Sequence, residues 1–212
     1  MILMNGVSII LASDGLAATA RLRDQGMVRV AYVPTAAAVL PEPAIVTTAD
    51  LEQLQALDFE VRELDIAERP GEISAVLDWA QGVVVGGGSV FHLLEQMRVS
   101  GFDRAVRRAV RDGMPYVGVS GGAIAACGDL APWRMVTREQ LTAERRRLQG
   151  LALTDVIILP HAGDRRARYA PVLARWVGRR RVIAIDDDQA VVVEGSTVTV
   201  VPSKRPRTDI GA

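Results

Sequence analysis

Short apolar runs alternate along the chain with longer segments in which apolar residues recur every three or four positions. The runs are rich in Val and Ile, which is typical of strands buried in a sheet, whereas the wider spacing predicts amphipathic helices. This alternation favours an α/β protein with a doubly wound, mostly parallel sheet. Nine strands are predicted, at residues 7–11, 28–33, 60–64, 82–85, 116–119, 156–159, 182–185, 190–193 and 197–201.

The last two predicted strands are separated by Gly195 and Ser196 alone, a two-residue connection typical of a β-hairpin. We therefore expect an antiparallel hairpin at the C-terminal edge of the sheet. No stretch rich in Pro, Gly and Ser divides the chain, which predicts a single domain over residues 1–202. Residues 203–212 are polar and interrupted by a proline, and we expect them to form a flexible tail.

The amino-acid composition argues against some classes of binding partner. The chain has 212 residues, 49% of them hydrophobic and 24% charged, which suffices for a core without disulfides or a structural metal. Its 25 Lys and Arg residues balance its 25 Asp and Glu residues, so no overall field draws it to nucleic acid or to an anionic membrane. We expect a small molecule as its partner, bound by a monomer or a homodimer.

Cys127 is the only cysteine, which excludes an intramolecular disulfide and a zinc site built from cysteines. A reducing compartment, the cytoplasm, is the simplest location for such a chain. We expect Cys127 to be a small buried core residue.

The segment 116–126, YVGVSGGAIAA, places Ser120 between a predicted strand and an alanine-rich helix. This G-x-S-x-G pattern is typical of a nucleophile elbow, in which a strained turn exposes the serine hydroxyl. The helix that follows directs free N–H groups and its positive dipole end to the same place, so the amide of Gly121 is positioned to stabilise an oxyanion. The alternative is a glycine-rich turn with a capping serine.

A second glycine turn lies in the segment 83–94, VVVGGGSVFHLL. It lacks the G-x-G-x-x-G pattern of a dinucleotide site and the lysine of a P-loop, which argues against a nucleotide. Its glycines allow a ligand to approach the backbone closely. We therefore predict that the amide of Gly87 or Gly88 is the second oxyanion donor.

An activated serine usually needs a base, and the chain has two histidines, His92 and His161. His161 follows the carboxyl end of a predicted strand, as Ser120 does, and loops at that end surround the ligand crevice of an open α/β sheet. His92 lies inside a predicted helix. His161 is therefore the predicted base.

The third member of a triad is a carboxylate that orients the imidazole. Two groups of aspartates qualify by position, one after the strand 182–185 and one between Ser120 and His161, in the chain order of the α/β-hydrolases. The residues alone leave the choice open among Asp186, Asp187, Asp188, Asp129 and Asp155.

Taken together, these motifs resemble peptidase family S51, which includes dipeptidase E and cyanophycinase. The similar segments are VAYVPTAA at 30–37, LEQLQALDFEVRELDI at 51–66, GGGSVFHLL at 86–94, GVSGGA at 118–123 and LPH at 159–161. The resemblance implies a flavodoxin-like fold, related to class I glutamine amidotransferases. It also implies a serine-type exopeptidase that hydrolyses short peptides without a cofactor or a metal.

The resemblance also assigns roles to residues. It implies Ser120 as nucleophile, His161 as base and Asp187 as the acid, where the family usually has glutamate; Asp186 stays an alternative. An arginine after the histidine reads the substrate aspartate in dipeptidase E, and Arg166 is the closest match by position. We therefore expect dipeptides with N-terminal aspartate as substrates. The alternatives are an esterase or amidase acting on a non-peptide acyl compound, or a non-catalytic binding protein of the same fold.

Three departures from the family pattern concern the site. Gly121 stands where the family usually has alanine, and Ser89 stands where it usually has asparagine. The first strand ends in the segment 12–15, ASDG, without the glycine cluster that the family usually has there.

Overall fold

A computed structural model describes residues 8–205 of the chain. All nine predicted strands are present, and their ends agree with the prediction to within one residue; residue 7, the predicted start of the first strand, lies outside the described residues. The strands are β1 Ser8–Ala12, β2 Arg29–Val33, β3 Glu60–Glu63, β4 Gly82–Val85, β5 Tyr116–Val119, β6 Ile157–Leu159, β7 Val182–Ala184, β8 Gln189–Glu194 and β9 Thr197–Pro202.

Seven of these strands form one sheet in the order β3-β2-β4-β5-β1-β8-β9. The first five run parallel, whereas β8 is antiparallel to both β1 and β9. The β8–β9 connection is the predicted two-residue turn, in which Gly195 has φ +59°. The prediction of a doubly wound, mostly parallel sheet with an antiparallel C-terminal hairpin is therefore confirmed.

Strands β6 and β7 do not belong to the main sheet. Among the described residues they pair only with each other, in parallel. The edge of β1 that could have received them is occupied by β8, which pairs with β1 along its whole length. The small β6–β7 sheet nevertheless lies against the helix after β5, and so brings its own carboxyl end close to that of the main sheet.

Helices cover both faces of the main sheet. They are α1 Ala20–Asp24, α2 Pro43–Ala56, α3 Ile73–Trp79, α4 Val90–Ser100, α5 Phe102–Arg111, α6 Gly121–Ala126, α7 Ala131–Val136, α8 Ala143–Arg146 and α9 Ala162–Trp176. No helix between residues 8 and 205 is both long and apolar enough to cross a membrane.

The core has two layers because alternate strand residues point to opposite faces of the sheet. Leu11 and Val85 contribute to the larger layer, which is covered by α3 to α7 and α9. Ile10 and Val84 contribute to the smaller layer, which is covered by α1 and α2. The carboxyl ends of β1, β2, β4 and β5 meet at one edge between these layers, which is where a ligand crevice is expected in such a sheet.

The first residues of the predicted tail pack against this same edge. Ser203 is buried; its hydroxyl donates to the carbonyl of Gly15 at 2.5 Å and accepts the N–H of Ala18 at 3.1 Å. Arg205 forms an ion pair with Asp14 at 2.5 Å. The rest of the predicted flexible tail, residues 206–212, lies outside the described residues.

Candidate active site

Ser120 occupies a sharp turn between β5 and α6. Its φ of +47° and ψ of −104° are strained for a residue with a side chain, at a cost of about 1–3 kcal/mol that the surroundings must offset. One restraint is its N–H, which donates to the carbonyl of Ala12 at 2.9 Å. The turn also needs a glycine at position 122, because a Cβ on Gly122 would lie 2.1 Å from the carbonyl oxygen of Val85 and clash with it. The turn is therefore the predicted elbow.

The side chains of Ser120, His161 and Asp187 form a continuous chain of hydrogen bonds. Ser120 Oγ lies 2.9 Å from His161 Nε2, and His161 Nδ1 lies 2.5 Å from Asp187 Oδ1. This is the connectivity by which a carboxylate orients an imidazole and the imidazole accepts a proton from a hydroxyl. The structure thus brings together the three residues that the family resemblance singled out.

The other candidate acids lie elsewhere. Asp186 donates its backbone N–H to Gln189 Oε1 at 3.0 Å, and its carboxylate lies beside Gly163 at the start of α9. Asp129 accepts the N–H of Ala131 at 2.8 Å, which caps the start of α7. Asp155 lines a separate surface depression with the run 178–181. None of these carboxylates is hydrogen-bonded to His161 in the described part of the chain.

The remaining candidates, Asp188 and His92, also make no side-chain hydrogen bond to Ser120 or His161 within residues 8–205. Asp188 lies 3.9 Å from the ammonium group of Lys204, near the surface. His92 lies in the first turn of α4, where its backbone N–H donates to Ser89 Oγ.

A buried hydroxyl, that of Ser13 at the end of β1, is hydrogen-bonded to both His161 and Asp187. It donates to Asp187 Oδ1 at 2.9 Å and accepts the backbone N–H of His161 at 2.7 Å. The second bond helps to hold His161 in the left-handed conformation, with φ +59° and ψ +41°, that turns its ring towards Ser120. Sequence reasoning missed Ser13, because only the pairing of β1 with β5 brings it to the site.

The ionisation of the site follows from these contacts. Burial raises the pKa of Asp187, but the hydrogen bonds from His161 and Ser13 outweigh it and hold the pKa below its ordinary value. Asp187 is therefore a carboxylate at neutral pH. Burial raises the pKa of the Cys127 thiol to about 12, so this cysteine stays protonated in the core as predicted.

The two glycine turns pack against each other beside Ser120. A Cβ on Gly121 would lie 2.4 Å from the carbonyl oxygen of Gly88, so alanine, which the family usually has, does not fit here without movement. As the first residue of α6, Gly121 has no acceptor for its N–H within the helix. The N–H of Gly88 makes no hydrogen bond to any residue between 8 and 205. The backbone N–H of Gly87 lies near enough to Asp50 to lower the pKa of its carboxyl group.

Ser120 and His161 open into a cleft of about 1140 Å³. One wall belongs to the α2 side of the sheet and carries Asp14, Asp50 and Arg205. The opposite wall belongs to the α7 and α9 side, and its lining includes Trp133, Arg138, Glu139, Arg165, Arg168 and Tyr169.

The structure does not bring Arg166 into this cleft. Arg166 is exposed, whereas Arg165 and Arg168 line the opening. The reason is helical geometry: residues three apart on α9 share a face, and the residue between them is turned away by about 100° per position. The candidate carboxylate-binding arginines are therefore Arg165 and Arg168.

Asp50 was not anticipated from the sequence at all. It is 2% exposed, and its Oδ2 accepts a hydrogen bond from the hydroxyl of Tyr32 at 2.9 Å. Burial raises its pKa to about 6. A lone aspartate in the polar segment TTADLEQL gives no sign of such burial.

No group of three or more His, Cys, Asp and Glu side chains within residues 8–205 is arranged to hold a metal ion.

The sequence profile of peptidase family S51 matches residues 13–201, which include every residue of the hydrogen-bonded chain. The chain belongs to peptidase family S51.

Individual S51 relatives agree with this assignment. An uncharacterized peptidase of Listeria monocytogenes is 27% identical over 172 residues, which are 80% of this chain and 83% of that protein. Peptidase E of Streptomyces coelicolor is 37% identical over 94 residues, but this similarity spans only 44% of this chain and 37% of that protein.

Solved structures of peptidases share the fold. A crystal structure from Listeria monocytogenes, described as a candidate Peptidase E, superposes with a TM-score of 0.73 at 25% identity, over 92% of this chain and 98% of that one. A peptidase from an acI-B1 Actinobacterium superposes with a TM-score of 0.69 at 20% identity, over 95% and 91% of the two chains. This second likeness concerns the fold alone.

Proposed function

We propose that this S51 peptidase is a serine-type exopeptidase that hydrolyses short peptides, with dipeptides that carry an N-terminal aspartate as its substrates. The observation that carries the proposal is the hydrogen-bonded chain from Ser120 Oγ through the ring of His161 to the carboxylate of Asp187. The names of its relatives, peptidase and Peptidase E, are consistent with this activity.

In this mechanism, Ser120 Oγ attacks the carbonyl carbon of the scissile peptide bond while His161 Nε2 takes the hydroxyl proton. The carbonyl oxygen becomes an oxyanion, for which the N–H groups of Gly121 and of Gly87 or Gly88 are the proposed donors. His161 then gives its proton to the leaving nitrogen, and the C–N bond breaks. A water molecule next attacks the acyl-enzyme, with His161 again accepting a proton, and releases the N-terminal residue and free Ser120.

Asp187 keeps the proton of the resting imidazole on Nδ1 and stabilises the imidazolium that forms during both steps. Its lowered pKa supports this role, because the acid is already ionised at neutral pH. Cys127 is a poor competitor for the nucleophile, since its buried thiol is protonated.

The guanidinium groups of Arg165 and Arg168 support the choice of an acidic substrate. Both line the cleft, and arginine binds carboxylates through paired hydrogen bonds. We expect them to receive the side-chain carboxylate of the N-terminal aspartate.

The test is hydrolysis of Asp-Ala and of aspartyl p-nitroanilide by the wild-type protein and by Ser120→Ala. We expect activity in the wild type and a loss of about 10⁴-fold or more in the variant. Arg168→Ala should raise KM for these substrates by about tenfold, whereas the matched change Arg166→Ala should leave it unaltered, because one guanidinium–carboxylate contact contributes about 1.5–3 kcal/mol.

Other outcomes would redirect the proposal. Hydrolysis of p-nitrophenyl acetate without hydrolysis of any peptide would support the esterase alternative. Failure of a fluorophosphonate to label Ser120, together with inactivity on both substrate classes, would support a non-catalytic binding protein.

A further inference from the structure

The proposed mechanism leaves one buried charge of the cleft unused. Asp50 lies in the middle of α2, is 2% exposed and lines the cleft that contains Ser120. Removing a carboxylate from water is costly unless a cation or several hydrogen bonds compensate it. The contacts of the Asp50 carboxylate therefore indicate whether this residue has only a structural role.

Those contacts leave the charge of Asp50 undercompensated. Its hydrogen-bond donor among the described residues, the hydroxyl of Tyr32, is neutral. The neighbouring cation, Arg205, is already in an ion pair with Asp14 at 2.5 Å. The α2 wall, as far as the structure describes it, thus has two carboxylates for one guanidinium, and the pKa of Asp50, raised to about 6 by burial, is consistent with a missing cation.

The carboxylate also lies close to the reacting centre. A Cβ on Gly86 would be 3.1 Å from Asp50 Oδ2, and a Cβ on the next residue, Gly87, would be 3.4 Å from the Cβ of Ser120. Asp50 and the nucleophile are therefore separated by the thickness of one glycine turn. In a peptide with a free N-terminus, the α-ammonium group is two bonds from the carbonyl carbon that Ser120 attacks.

The charges of the two walls favour one orientation of such a peptide. The wall formed by α7, α9 and their connections carries Arg138, Arg165 and Arg168 against Glu139, so it attracts carboxylates and repels an ammonium group. The α2 wall instead has more carboxylates than guanidinium groups, so it attracts an ammonium group. An N-terminal aspartate presents both groups, an ammonium on its Cα and a carboxylate on its side chain.

Resting on the proposed function, we propose that Asp50 accepts the α-ammonium group of the substrate and so restricts the enzyme to peptides with an unblocked N-terminus. Asp50 is then a specificity-determining residue. The α2 wall binds the ammonium group of the N-terminal residue, and the opposite wall binds its side-chain carboxylate. The chemical class that it takes is a primary α-ammonium group, which N-acylated peptides lack.

The test separates binding from chemistry by using Ser120→Ala at full length. Calorimetric titration at pH 7.0 compares Asp-Ala with N-succinyl-alanine, which has the same skeleton with hydrogen in place of the α-ammonium group. We expect Asp-Ala to bind about tenfold or more tightly, the effect of one charge-assisted hydrogen bond. Adding Asp50→Asn should reduce this preference to about threefold or less, while adding Tyr32→Phe, which keeps the charge, should preserve it.

Equal binding of the two ligands to Ser120→Ala, or binding of neither, would overturn the proposal without any need for the Asp50 variant. An equal loss for both ligands in folded Asp50→Asn would overturn it too, because Asp50 would then act only by holding the Gly87 turn. A preference for Asp-Ala combined with no hydrolysis by the wild-type protein would instead reject the peptidase and keep the ammonium site. Rapid wild-type hydrolysis of N-acetyl-aspartyl p-nitroanilide would keep the peptidase and reject the ammonium site.

Discussion

Replacing Asp187 by asparagine tests the proposed triad at the residue whose identity the sequence left open. Asparagine has nearly the same shape, so the turn that carries it should persist. However, it has no charge, and its NH₂ group can face His161 Nδ1 as a donor. That contact favours the tautomer with the proton on Nε2, which cannot accept the proton of Ser120.

The expected loss can be bounded from the contacts. The carboxylate lies 2.5 Å from Nδ1, and one such charge-assisted bond contributes about 1.5–3 kcal/mol, or about 10- to 150-fold in rate. Reversal of the tautomer can extend the loss to about 10⁴-fold. The side chain of Asp187 is 50% exposed, so water replaces part of its effect. We therefore expect kcat to fall by about 10²- to 10³-fold, with little change in KM.

The assay is the initial rate of aspartyl p-nitroanilide hydrolysis, with the rate of fluorophosphonate labelling of Ser120 as a readout independent of the substrate. Asp186→Asn is the matched control, since Asp186 has no contact with His161 among the described residues, and we expect it to retain the wild-type rate within about twofold. Wild-type activity in Asp187→Asn would refute the triad. An equal loss in both variants would show that the turn matters and that its individual carboxylates do not.

Three further predictions concern residues around the site. Ser13→Ala should lower kcat by about tenfold and leave KM unchanged, because it removes one hydrogen bond from Asp187 and leaves the N–H of His161 unpaired; steady-state kinetics check this. The folded pKa of Asp50 exceeds its unfolded value of 3.8, so its contribution to stability is full below about pH 4 and is lost through pH 6. Urea unfolding should therefore show wild type losing about 2 kcal/mol relative to Asp50→Asn between pH 4 and pH 7. Iodoacetamide should modify Cys127 only after unfolding, as mass spectrometry would show.

The strands and the elbow could be predicted because their causes are local in sequence. Short runs that contain Val or Ile identified all nine strands, and the glycines around Ser120 reflect collisions that any side chain would meet at the turn. His161 could be predicted as well, since residues at the carboxyl ends of parallel strands converge at one edge of the sheet.

Other parts of the site could not be predicted, because they depend on orientation within an element or on contacts between distant ones. Asp186 and Asp187 are adjacent, and contacts with distant residues, among them the hydrogen bond from Ser13 to Asp187, place Asp187 against His161. Arg166 was chosen ahead of Arg165 and Arg168 because the sequence does not show which side of α9 faces the cleft. Asp50 is buried by α2 packing on Tyr32, a tertiary contact with no local pattern.

The turn after β1 connects three distant parts of the chain beside Ser120. The N–H of Gly15 donates to the carbonyl of Asp187 at 3.4 Å, and the N–H of Ser13 donates to the carbonyl of Gln189 at 3.2 Å. These bonds hold the backbone on either side of Asp187 against the end of β1. Gly15 itself is enclosed, since a Cβ there would lie 1.9 Å from the carbonyl oxygen of Ser203. The same short turn therefore holds His161, Asp187 and the chain after β9, although no local pattern in the sequence marks it as part of the site.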